Sequence, residues 1–98
     1  MNQITKDLIA GKALINTPEK WTQRASARDA DDREVDIDDP SACKFCSMGA
    51  LTKVKAFGVS YDFLRNCLGG SIININDSYD HALVMKRWDR AIEASKHL

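Results

Sequence analysis

The sequence has no excess of either charge, no long apolar run and no complete catalytic or metal-binding motif. Lysine and arginine number 14, and aspartate and glutamate also number 14. Proteins that grip nucleic acid through many phosphates carry a basic surplus, so no nucleic-acid partner is expected. A chain of zero net charge repels its own copies weakly, which favours a homo-oligomer. No stretch reaches the roughly 18 apolar residues that span a bilayer, so no membrane partner is expected. Met1 to Ile15 is broken by Lys6, Asp7 and Lys12 and lacks the apolar run of a signal peptide. The expected location is the cytoplasm. Three cysteines, an odd number, fit a reducing compartment with free thiols or metal ligands rather than disulfides.

What is present is ordinary for a globular chain. Hydrophobic residues make up 44% and charged residues 29%, which argues against disorder. Ninety-eight residues make one domain, 1–98, with one core and little room for a deep cavity. Ile4, Leu8, Gly11 and Ile15 recur at helical spacing and predict a helix over 3–15 that Pro18 stops. Val35 and Ile37 alternate with Glu34, Asp36 and Asp38, and Asp31-Asp32 sits before them as a turn. This pattern predicts a β-hairpin over about 24–37. Asp39-Pro40 resembles a helix start, and the apolar run Phe45–Leu51 predicts a central buried helix over 40–56, with Gly58 as its breaker. A short helix over 61–68 follows, with Leu64, Cys67 and Leu68 inward. Ile72–Ile75 reads as an extended stretch. The last helix, about 79–96, is capped by Asp77 or Ser78 and buries Val84, Met85, Trp88, Ala91 and Ile92. The expected fold is α+β and mainly helical, about four helices with one small β-hairpin.

Three groups of residues carry candidate chemistry. Cys46 lies near a predicted helix start, where the dipole favours a thiolate. His81 is an ionisable group on an otherwise apolar face, and Asn76 and Asp77 lie just before it. A thiol, a base and an orienting group are the parts of a nucleophilic site: Cys46 as nucleophile, His81 as base, Asp77 or Asn76 as orienter. The plainer reading makes Cys46 and His81 packed residues. Cys43, Cys46, Cys67 and His81 would together make a three-cysteine, one-histidine zinc set, although the usual second closely spaced ligand pair is missing and no metal site is assigned. Between Asp29 and Asp39 lie seven carboxylates: Asp29, Asp31, Asp32, Glu34, Asp36, Asp38 and Asp39. The spacing fails the EF-hand pattern, since its sixth position is Glu34 and its twelfth Pro40. What remains is a solvated acidic hairpin or a docking surface for a basic partner. Its candidate binding residues are Arg28, Asp29, Asp31, Asp32 and Glu34, with Trp21 beside them. Arg28 and Asp29 point to opposite faces of a strand and need separate partners.

The strings Lys20-Trp21-Thr22-Gln23, Ala27-Arg28-Asp29-Ala30, Phe45-Cys46-x-x-Gly49-Ala50-Leu51, Asn76-Asp77 with His81, and Trp88-Asp89-Arg90-Ala91-Ile92 run in order along the chain. In this order they resemble a family of small bacterial and phage proteins known as a domain of unknown function. The likeness spans about residues 5–95. Many members have Trp where this chain has Phe45, and a Trp before the Asn-Asp pair where this chain has Ile75. The resemblance implies a cytosolic bacterial or phage protein and draws attention to Cys46 and His81, which fall on its strings, over Cys43 and Cys67, which do not.

Three functions follow, in order. The first is a non-enzymatic protein-interaction module with no cofactor, an accessory protein of a phage or mobile element that binds a host or self protein. The second is a thiol-nucleophile enzyme. The third is a structural zinc domain.

Overall fold

A computed structural model describes all 98 residues. Five helices and a two-stranded antiparallel sheet make an α+β, mainly helical fold. Helix α1 (Gln3–Ala13) is capped by Asn2, whose side chain accepts the Thr5 N–H. Helix α5 (His81–Ser95) starts two or three residues later than the Asp77 or Ser78 cap would place it, because Asp80 accepts the Leu83 N–H. Thr5 and Ser95 then share a buried hydroxyl contact of 2.6 Å, which ties the two ends of the chain. Leu8, Ile15, Leu51, Leu64, Leu68, Ile72, Val84 and Trp88 form the dry core. Helix α1 packs on three others, α2 (Ser47–Lys53), α3 (Val59–Leu68) and α5. It, rather than the helix expected over 40–56, is the common neighbour.

That central helix is shorter than its sequence suggests. Asp39 and Pro40 occupy the first two positions of a β-turn closed by Ala42 N–H to the Asp39 carbonyl. Asp and Pro favour these turn positions as strongly as they favour a helix start. Lys44 and Phe45 are then extended as strand β2, and α2 begins at Ser47 with Cys46 as its cap. It ends in a Schellman turn: Ala56 N–H bonds the Leu51 carbonyl, Lys55 N–H bonds Thr52, and Lys55 itself takes φ +59°. Lys55 therefore holds the left-handed position, and Gly58 serves as the entry to α3. Cys67 is exposed on that helix, since Ser60, Leu64 and Leu68 form its buried row. The stretch expected to be extended is helix α4 (Ile72–Ser78). Ser71 caps it, and Ile72 and Asn76, four apart, face inward.

Strand β1 (Ala27–Arg28) pairs antiparallel with β2, Ala27 opposite Phe45 and Arg28 opposite Lys44. On its other side Arg28 faces Glu34, with Asp29 N–H bonded to the Arg33 carbonyl and Val35 N–H to the Ala27 carbonyl. The hairpin expected over 24–37 is thus a tight turn with a single bridge. β1 lies between it and β2, a second partner that the alternation did not reveal.

Candidate functional site

Asn76 is the meeting point of the fold. It is fully buried on α4. Its Oδ1 accepts the Trp21 indole N–H at 2.7 Å and the backbone N–H and hydroxyl of Ser47, both at 2.9 Å. Its Nδ2 donates to the Thr22 carbonyl and to Asp77 Oδ1. The Ser47 hydroxyl in turn accepts the Trp88 indole N–H at 3.0 Å. Gln23 donates to the carbonyls of Asn76 and Tyr79, and Asp77 accepts the Arg24 N–H. Every buried side-chain polar atom has a partner. A satisfied network of this kind fixes one arrangement of the chain, because each group is costly to strand. The Trp-Thr-Gln and Asn-Asp strings are the two halves of this clamp. Ser47 completes it, although nothing in its sequence spacing pairs it with Asn76.

Cys46 sits beside this clamp with its Sγ accepting the Gly49 N–H at 3.2 Å. Burial pushes its thiol above the ordinary range, the backbone N–H groups of Gly49 and Met48 pull the other way, and the Asp77 carboxylate adds to the upward shift. Cys46 opens on a cleft of about 240 Å³ shared with Arg24, Glu34, Ile73 and Asp77. Ligand pockets run to roughly 300–1,000 Å³, so this one suits only a small group. His81 does not line it. The His81 Nε2 is 2.7 Å from the Ile15 carbonyl, and its ring packs against Trp21 with centroids 5.4 Å apart. Asp77 therefore shares this cleft with Cys46, but His81 is engaged elsewhere.

The zinc set does not assemble. Cys43 and Cys67 are exposed while Cys46 is buried, and no three His, Cys, Asp or Glu side chains converge as ligands. Cys43 and Cys46 also flank an extended strand. At about 3.3 Å per residue they lie roughly 10 Å apart, beyond the roughly 7 Å that a disulfide can bridge.

In the acidic segment the carboxylates divide by role. Asp29 Oδ1 accepts the N–H groups of Asp31 and Arg33, and Oδ2 accepts Arg33 Nε. The Arg33 backbone bond, ahead of the other contacts, holds this carboxyl below the usual range. Asp39 is likewise lowered by the Ser41 hydroxyl and N–H. These two residues build turns. Asp31 pairs with Arg33, Asp32 with Lys44, and Asp38 with Lys53 at 3.5 Å. Glu34 and Asp36 are exposed and have no ion-pair partner. Both line an open groove of about 890 Å³ whose other side is Ser26, Gly49 and Thr52. Arg28 lies behind it as a tether, donating to Thr22 Oγ1 and to the carbonyls of Gln23 and Asp32. Arg28 and Asp29 thus have separate partners. Trp21 is half-buried and belongs to the clamp.

No helix is long and apolar enough to cross a membrane. No family model, no curated protein and no solved structure matches the chain.

Proposed function

We propose that the chain is a non-enzymatic interaction module that docks a basic partner protein on its acidic groove. The observation that carries this reading is the division of the carboxylates. Residues 29–39 hold seven carboxylates against one arginine, whereas the rest of the chain holds seven against thirteen cations. Within that segment Asp29 and Asp39 are consumed in turns, but Glu34 and Asp36 are unpaired on the open groove of about 890 Å³. Unpaired surface charge of one sign steers and selects a partner of the other sign. The setting proposed is an accessory role in a phage or mobile element, with a host or self protein as the partner.

The test compares the wild type with a Glu34→Lys/Asp36→Lys variant as baits in the same bacterial lysate. A partner recovered by the wild type at low salt, and lost by the variant or at high salt, is the expected result. Equal recovery by both baits would overturn the reading. Both positions are exposed, so the variant should melt within about 0.5 kcal/mol of the wild type.

A further inference from the structure

We propose that the cleft at the join of α3 and α4 binds a small phosphate monoester carrying a flat ring, of the nucleoside monophosphate class. This cleft shares no residue with the acidic groove, and ligand binding there goes beyond the docking function proposed above.

The cleft is open, holds about 560 Å³ and is lined by Tyr61, Arg65, Asn66, Gly69, Gly70 and Ser71. That volume lies within the range of small-molecule sites. One cation lines it and no carboxylate does. Arg65 forms no ion pair, and its guanidinium, the Asn66 amide and the Tyr61 hydroxyl bond nothing in the chain. The Ser71 hydroxyl accepts the Asn74 N–H and keeps its own proton free. The acceptors beside these donors are already used. The N–H groups of Gly69 and Gly70 bond the Arg65 carbonyl, the Gly69 N–H also meets the Asn66 carbonyl, and Arg87 bonds the Leu68 carbonyl. Three of the last four carbonyls of α3, which would otherwise repel an anion, are thus occupied. Free donors around one unpaired guanidinium call for an anion with several acceptor oxygens.

The arrangement of the lining narrows the ligand. Arginine matches a phosphate with two parallel N–H bonds. Tyr61 stands four residues before Arg65 on the same face of α3, about 6 Å along the helix axis. It is half-buried against the core, which steadies its ring as a platform for a flat group. A phosphate on Arg65 and a ring on Tyr61 are therefore within the reach of one small molecule, and the Asn66 amide can donate to and accept from a base edge. A nucleic-acid strand would need cations for many phosphates, and only one lines this cleft. The turn leaves the site open. Gly69 takes φ +85° and needs its glycine, whereas Gly70 does not have a positive φ and a Cβ there would meet no atom within 4 Å. The packing of the chain thus does not demand a glycine at 70, and its bare backbone leaves the cleft room.

The test titrates the protein with each of the four nucleoside monophosphates, with inorganic phosphate and adenosine as controls, and follows the backbone amides by two-dimensional NMR. The expected result is that at least one nucleotide shifts the amides of Gly69, Gly70 and Ser71 and binds at least about tenfold more tightly than phosphate or adenosine alone. Arg65→Gln removes the charge, and Gly70→Glu sets a carboxylate on the lining. Both positions are exposed, so each variant should keep the wild-type spectrum elsewhere and bind the nucleotide at least about tenfold more weakly. If no nucleotide shifts these amides, or if Arg65→Gln binds as the wild type does, the site is overturned. Inorganic phosphate binding as tightly as the best nucleotide overturns a nucleotide as its ligand. Neither outcome touches the acidic groove, which the lysate experiment tests separately.

Discussion

At the scale of the residue, Cys46 shows how one position supports two opposite readings until its neighbours are known. The helix start was legible in the sequence as a reason for a thiolate. In the fold, Cys46 is the cap itself, 6% exposed, with its Sγ accepting a backbone N–H. A thiol that is desolvated beside a carboxylate holds its proton, and the thiolate is the reactive form. The expected labelling order follows. Iodoacetamide should modify exposed Cys43 and Cys67 in the native protein well before Cys46, and His81→Ala should not change the Cys46 rate, because His81 bonds the Ile15 carbonyl. Peptide mass spectrometry over a pH series measures this directly. Rapid labelling of Cys46 near neutral pH that depends on His81 would restore the thiol-nucleophile reading.

At the scale of the element, the strongest sequence signals were the periodic ones. Leu8 and Gly11 on α1, and Val84, Met85, Trp88 and Ala91 on α5, fall on the buried faces that their spacing predicts. The failures have physical causes. Asp39-Pro40 suits a turn and a helix start alike. Ile72-Ile73 is β-branched and reads as extended, but the burial of Ile72 and Asn76 at i and i+4 outweighs a propensity difference of well under 1 kcal/mol per residue. Gly49 carries a signal whose meaning appears only in three dimensions. A Cβ there would stand 2.1 Å from the Ser26 carbonyl oxygen, so the glycine lets α2 lie directly on the strand entry. Gly49→Ala should recover about 1 kcal/mol of helix propensity and lose about 3 kcal/mol or more to the clash with backbone. A net loss of about 2 kcal/mol or more is expected in the urea midpoint. An unchanged midpoint would mean that α2 and Ser26 separate freely.

At the scale of the whole molecule, the helical part was legible because it is built from local repeats, and the join between helices and sheet was not. That join is made by Trp21, Thr22, Ser47 and Asn76, which are as much as 55 residues apart. Each alone is an unremarkable polar or aromatic residue, and only their convergence gives them a role. The same fact makes the molecule testable as a unit. Trp21 reports the sheet side and Trp88 the helical core, and both indole N–H groups reach one buried pair, Asn76 and Ser47. With the clamp intact, tryptophan fluorescence and far-UV circular dichroism should fall in one coincident transition, as small domains usually do. Asn76→Ala strands the Ser47 N–H, the Trp21 indole and the Thr22 carbonyl. Each buried group left unpaired costs about 1–3 kcal/mol, so a loss of about 3 kcal/mol or more is expected. The two probes should also separate, because the helices keep their own apolar core while the sheet loses its polar anchor. If the variant unfolds in a single transition with both probes still coincident, apolar contact alone holds the sheet to the helices, and the clamp has no special part in their cooperativity.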